Sequence, residues 1–155
     1  MRSETFPLAF VMQGAMKAMP KRVLFVCIEN SSRSQMAEGF AKYHGAGKLL
    51  ASSAGTEPAE KVAELAVAVM RERGIDISHH RAKKVDDGLM ADSDMVITMG
   101  CCAADDLCPV LYHGRKVDWE IPDPRGGTIE TYRKVRDIVE GQVRDLIKDL
   151  KAQED

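Results

Sequence analysis

The chain has 155 residues, enough for one domain and too few for a second core of ordinary size. Hydrophobic residues make up 45% and charged residues 30%, which excludes a disordered chain. A net charge of −2 supplies no basic surplus for nucleic acid or an anionic membrane, and no apolar run approaches the ~20 residues of a membrane span.

Residues 1–20 read as an N-terminal extension, expected to be poorly ordered. Leu8 to Met12 is apolar but short, and no small-residue cleavage site follows it. A single domain is expected over residues 21–155. Arg22 to Cys27 (RVLFVC) is a continuous apolar run, the pattern of a strand buried on both faces. After a polar loop, Met36, Ala37, Phe40, Ala41 and Tyr43 recur at helical spacing up to Gly45. A second strand is predicted over Lys48 to Ser53 and a helix from Pro58 to Arg73, stopped by Gly74. Asp94 to Met99 and Lys116 to Ile121 predict two more strands. A last helix is expected from about Thr128 to Leu150, with Tyr132, Val135, Val139, Val143, Leu146 and Leu150 as its apolar stripe. Strands alternating with helices predict an α/β fold of three layers, a four-stranded parallel sheet with helices on both faces. Ligands of such sheets bind in the loops at the carboxyl ends of the strands.

The first such loop is Cys27-Ile28-Glu29-Asn30-Ser31-Ser32-Arg33-Ser34. So short a connection must curl, turning its amides inward, and the N-terminus of the next helix adds positive potential. The amides of Ile28, Glu29, Asn30, Ser31, Ser32 and Arg33 then form an oxyanion cradle. The Arg33 guanidinium offers a fork that suits tetrahedral oxyanions. The same field favours the thiolate of Cys27, a nucleophile that Ser34 can support with a hydrogen bond. A lone cysteine ending a strand is more often an inert core residue. Cysteine, arginine and serine at this spacing reverse that weighting. The Gly-x-x-x-x-Gly-Lys-Ser/Thr pattern of nucleotide sites is absent.

Val23 to Gly39 (VLFVCIENSSRSQMAEG) resembles the signature of the low-molecular-weight protein tyrosine phosphatase superfamily, and more narrowly the arsenate reductases of that fold. Gln35-Met36-Ala37-Glu38 is closer to the reductases than to the phosphatases, which usually place proline after the serine. Ser52-Ser53-Ala54-Gly55-Thr56, Ile75-Asp76-Ile77-Ser78-His80 and Asp123-Pro124 fall in the family's order, so the resemblance covers about Arg22 to Leu150. Two positions depart from it. Glu29 stands where many members carry glycine and is expected to face away from an anion. Ser32 stands where a second loop cysteine often occurs, which removes any disulfide within the loop.

The resemblance implies further roles. Cys101 and Cys108, in Gly100-Cys101-Cys102-Ala103-Ala104-Asp105-Asp106-Leu107-Cys108-Pro109, match the two redox cysteines of thioredoxin-coupled reductases, with Cys102 a rival for the first role. Adjacent cysteines rarely bond, so Cys101–Cys102 ranks last among the pairings. Were the segment helical, seven residues would rise about 10.5 Å. A disulfide needs Cα atoms within roughly 7 Å, so oxidation would have to unwind it. Asp123 matches the family's general acid, and Pro124 restricts it to an extended conformation. Arg125-Gly126-Gly127 follows where the phosphatases typically carry tyrosines, so no aromatic wall awaits a substrate ring. Asn30, Glu38, Ser53 and Asp86 match positions that hold potassium in some arsenate reductases. All four are oxygen ligands suited to a hard cation.

The expected function is cytoplasmic reduction of arsenate to arsenite through a cysteine–arsenate adduct and an intramolecular disulfide relay. Thioredoxin or a similar thiol would be the reductant. No cofactor is required, with potassium an optional ion. The alternatives are a phosphatase, which needs Cys27, Arg33 and Asp123 but no later cysteine, and a non-catalytic oxyanion or redox sensor. Zinc on Cys101, Cys102, Cys108 and His113 matches no common ligand spacing. His79-His80 and Lys83-Lys84 read as surface residues.

Overall fold

The computed structural model describes residues 19–154, so the extension expected over 1–20 lies almost wholly outside the described residues. Four strands, β1 (Lys21–Cys27), β2 (Leu49–Gly55), β3 (Met95–Thr98) and β4 (Arg115–Asp118), form one sheet in the order β2-β1-β3-β4. All three pairings are parallel, with Cys27 opposite Gly55 and Val26 opposite Thr98. The helices are α1 (Arg33–His44), α2 (Glu64–Arg71), α3 (Asp87–Ala91), α4 (Ala104–Leu107) and α5 (Ile129–Glu154).

β1 is central, and its alternate side chains divide the interior in two. Val23, Phe25 and Cys27 join the larger core with residues of α1, α2 and α5. Leu24 and Val26 join a smaller core with Met90 and Cys108 on the other side. Burial on both faces is why β1 reads as an unbroken apolar run. The α5 stripe is buried as its spacing predicts, whereas β4 is an edge strand exposing Arg115, Lys116 and Asp118. A charged edge of this kind resists pairing with other chains.

β3 and β4 end earlier than predicted, at Thr98 and Asp118 rather than Met99 and Ile121, and one predicted helix is shorter than expected. The helix read from Pro58 begins only at Glu64. The residues before it bond to the loop after β1 instead: Thr56 N–H donates to the Cys27 carbonyl at 3.1 Å, Glu57 to Ile28 at 2.8 Å, Ala59 to Glu29 at 2.9 Å and Ala63 to Ser31 at 2.9 Å. Two of these segments compete for the same amides, and the loop takes them. Among the described residues, no helix is long and apolar enough to cross a membrane.

Candidate active site

The carbonyls of the loop after β1 explain its shape. Besides the four just named, the Asn30 carbonyl accepts from Gln35 Nε2 at 3.0 Å and the Ser32 carbonyl from Met36 N at 2.9 Å. Every carbonyl from Cys27 to Ser32 is thus engaged on the outside of the curl. A peptide's N–H points opposite its C=O, so the amide edge faces the interior of the loop, as an anion requires. Asn30 adopts φ 52°, the left-handed conformation that lets the chain turn back, and its N–H donates to Cys27 Sγ at 3.2 Å. Gly55 permits the close packing. A Cβ there would lie 2.4 Å from the Ile28 carbonyl oxygen and 2.8 Å from Asn30 N.

The Cys27 sulfur is oriented by a directional chain of hydrogen bonds. Asn30 Nδ2 donates to Ser34 Oγ at 2.8 Å and to Ser53 Oγ at 2.9 Å. Ser34 Oγ, having accepted, turns its proton toward Cys27 Sγ 2.9 Å away. Ser53 passes its own proton to Glu38 Oε1 at 2.6 Å, and Lys42 Nζ pairs with Glu38 Oε2 at 2.6 Å. Burial acts to raise the Glu38 carboxyl, but the hydrogen bonds from Lys42 and Ser53 outweigh it and hold the group below the ordinary carboxylate range. Asn30 Oδ1 is fixed by Lys83 N at 2.8 Å and Gln35 Nε2 at 3.0 Å. His80 Nδ1 meets Gln35 Oε1 at 2.8 Å, and burial keeps its imidazole below the usual value despite the Glu38 charge.

These contacts test the potassium expectation. Asn30, Glu38 and Ser53 are brought together, but Asn30 presents an amide donor and the lysine ammonium already sits on Glu38. The Asp86 carboxylate accepts from Leu89 N at 2.7 Å, capping α3. The donor set as arranged does not fit a cation. Among the described residues, no three or more His, Cys, Asp or Glu side chains gather as a metal cluster.

Arg33 is buried and aimed by two carbonyls, Nη1 donating to Met99 O at 2.8 Å and Ile121 O at 3.1 Å. Both acceptors lie past the carboxyl ends of the strands. The Nη2 side faces Asp123 Oδ2 at 3.6 Å. Asp123 Oδ1 accepts from Arg125 N at 3.0 Å, which sets its rotamer in a half-exposed loop. Cys27, Arg33 and Asp123 line a cavity of about 20 Å³. Glu29, expected to face away, lines the same cavity and pairs with the Arg125 guanidinium across its mouth. The charge that would have opposed an anion is met by a cation from the Asp123 loop.

Cys27 and Cys108 lie on opposite faces of the sheet. The Cys101 sulfur lies 3.6 Å from the Val26 carbonyl oxygen, one residue before Cys27. Cys101 and Cys102 are joined as a vicinal disulfide, with Cα atoms 3.8 Å apart, the pairing ranked last on sequence grounds. Both lie in the bend after Gly100, whose φ of 94° reverses the chain. Cys108 is buried with Leu24 and Val26, on the face opposite Cys27, and that burial pushes its thiol up despite the favourable charge of Lys116. Only Ala104–Leu107 of the intervening segment is helical, so less must unwind than a full helix would require.

Sequence reasoning missed several of these residues. His80 looked like a surface group, nothing in the sequence singled out Lys42, and Gln35, Gly55 and Arg125 each make contacts with distant segments. The signal for Gln35 and His80 lay in the quoted motifs, not in any periodicity.

A family model described as low molecular weight phosphotyrosine protein phosphatase matches residues 22–155. A glutaredoxin arsenate reductase of Synechocystis sp. is 41% identical over 129 residues, covering 82% of this chain and 96% of that protein. A solved structure of an arsenate reductase in the phosphate binding state superposes with TM-score 0.73 at 41% identity, covering 84% of this chain and 98% of that one. A thioredoxin-dependent arsenate reductase of Corynebacterium glutamicum gives TM-score 0.74 at 30% identity, covering 97% and 74%. With its loop cysteine, arginine and distal aspartate set in the same fold, the chain belongs to the low-molecular-weight phosphotyrosine protein phosphatase family.

Proposed function

We propose that this chain is an arsenate reductase. The observation that carries the reading is Cys101 beside the strand that ends in Cys27, its sulfur 3.6 Å from the Val26 carbonyl oxygen, with no aromatic side chain lining the cavity that holds Cys27. A phosphatase has no use for a second sulfur there. The names of the relatives agree with it.

The cycle begins once a thiol reductant has opened the Cys101–Cys102 bond. Arsenate is held by Arg33 and the loop amides. The Cys27 thiolate attacks arsenic, and Asp123 gives its proton to the departing oxygen, which leaves as water. Cys101 then attacks Cys27 sulfur. The sulfur–arsenic bond breaks with its electron pair staying on arsenic, so As(V) leaves as arsenite and a Cys27–Cys101 disulfide remains. Cys108 attacks Cys101, frees Cys27 and leaves Cys101–Cys108 for an external dithiol. The electrons come from thiols, so the scheme needs no cofactor. A reducing compartment such as the cytoplasm, with thioredoxin or glutaredoxin as donor, would sustain it.

The test is arsenate-dependent NADPH oxidation with thioredoxin or glutaredoxin and the matching reductase, run beside aryl-phosphate hydrolysis. Cys27→Ser should abolish turnover. Cys108→Ser should complete one turnover and stall as a Cys27–Cys101 disulfide seen by peptide mapping. Full aryl-phosphate hydrolysis in Cys108→Ser, with no arsenate-dependent disulfide, would establish a phosphatase instead.

A further inference from the structure

We propose that Glu29 and Arg125 form an ion-pair gate that competes with the oxyanion for the site, and that Arg125 becomes a second anion-binding arginine once the pair opens. This deepens the reading of the site as an oxyanion pocket, whatever the fate of the bound anion.

The pair joins two loops 96 positions apart, the curl after β1 and the segment after Asp123. Both partners line the cavity that holds Cys27, Arg33 and Asp123. With the pair closed, the space is about 20 Å³. That is room for roughly one water molecule. A tetrahedral oxyanion is larger, so its outer oxygens would meet the Glu29–Arg125 pair. The backbone offers nothing movable, because every carbonyl of the curl from Cys27 to Ser32 is hydrogen-bonded on its outer side. Arg33 is equally fixed by the Met99 and Ile121 carbonyls.

Arg125 is the group free to move. Its side chain is 69% exposed, against 6% for Arg33. Its backbone stays in place through the N–H bond to Asp123, so the guanidinium swings about a fixed root. When an oxyanion enters, that planar fork can exchange one carboxylate for two anion oxygens. Glu29 is then left at the mouth as the competitor. Its backbone is anchored by Ala59 N–H, so the carboxylate cannot withdraw with the chain.

The charge logic gives effects of opposite sign. Removing the Glu29 charge releases Arg125 to the anion, so affinity rises. Removing Arg125 deletes an anion ligand and exposes a carboxylate to it, so affinity falls. Each change should be up to about fivefold, the ceiling for a solvent-exposed ion pair. A mere brace between two loops would behave otherwise, since cutting it from either side loosens the same contact and moves affinity in the same direction.

The experiment titrates inorganic phosphate into the full-length reduced protein by calorimetry, for wild type, Glu29→Gln, Glu29→Ala, Arg125→Ala and Arg125→Lys. Phosphate affinity should order as the two Glu29 variants above wild type, then Arg125→Lys, then Arg125→Ala. In turnover, the same order should appear in KM with kcat changed less. Loss of affinity in the Glu29 variants, or unchanged affinity in all four, would overturn the gate. Because phosphate binding is read without any redox step, failure of arsenate reduction would leave this result standing, and failure of the gate would not touch the relay.

Discussion

Gly55→Ala places one methyl group against the most tightly folded part of the site. The new Cβ would sit 2.4 Å from Ile28 O and 2.8 Å from Asn30 N, both backbone atoms. Ordinary carbon–oxygen contacts begin near about 3.3 Å, so one side must give by roughly 1 Å. The strand side is pinned. Gly55 N donates to Lys83 O at 2.7 Å, its carbonyl accepts from Val85 N at 2.9 Å, and Cys27 is its register partner in β1. The loop therefore moves, straining the Glu57 N–H to Ile28 bond and the left-handed Asn30 that positions Cys27. Overpacking of this kind costs about 1–3 kcal/mol of stability. A 1 Å displacement of catalytic groups costs about 10²-fold in rate. Thermal unfolding, phosphate titration and arsenate-dependent turnover on the same preparation separate the two losses. A variant that folds, melts within a degree of wild type and keeps kcat/KM within twofold would refute the close-packing account of the loop.

Three further outcomes follow from the same geometry. Asp123→Asn keeps the hydrogen bond from Arg125 N but carries no transferable proton, so the chemical step should slow by about 10² to 10⁴, measured in single turnovers. Asp118 Oδ1 accepts from Thr98 Oγ1 at 2.5 Å and from Ala104 N at 2.8 Å, pinning the start of α4. Asp118→Ala should therefore speed thiol-probe labelling of Cys108 and amide exchange over 104–108, and Asp118→Asn, which keeps an acceptor, should restore much of the protection. The raised Cys108 thiol favours the folded state while both forms are protonated. Above the unfolded thiol value of about 8.5 only the unfolded chain loses its proton, so stability should fall with rising pH there. Cys108→Ala should flatten that slope in denaturant titrations at pH 8 and pH 10.

β1, β3 and the stripe of α5 were legible because they record burial directly, the strands by an unbroken apolar run and the helix by spacing. Cys27, Arg33 and Ser34 were legible because a short loop between strand and helix brings them together by connectivity alone. The start of α2 was not. Its amphipathic pattern extends to Pro58, but residues 56–63 lend their amides to a loop nearly thirty positions earlier, and no local signal records that demand. His80 looked like a surface residue because its partner, Gln35, lies 45 positions away. Glu29 carries a charge whose sign argued for facing away from an anion, and its pairing with a cation on a loop 96 positions away has no local signal in the sequence.

The division of the cysteines gives the third strand's loop a geometric reason to carry more than one. Cys27 belongs to the core beneath α1 and α5, and Cys108 to the smaller core beneath α3 and α4, with the sheet between them. No rotamer change carries either sulfur through a hydrogen-bonded sheet. In the proposed relay, electrons would therefore pass around its rim, at the carboxyl ends of β1 and β3. Cys101 occupies that rim, beside the Val26 carbonyl, on a bend opened by the left-handed Gly100. Its sulfur lies one residue along β1 from Cys27. It can reach Cys108 only if α4 releases its end, and that helix is a single short turn held by Asp118 and by the Lys116–Asp105 pair at 2.8 Å. A helix of four residues has little cooperative stability of its own, so its anchors on β4 set how readily the second sulfur exchange occurs. For the proposed relay, cysteines on either face of one parallel sheet would need a shuttle at the rim and a weak helix behind it.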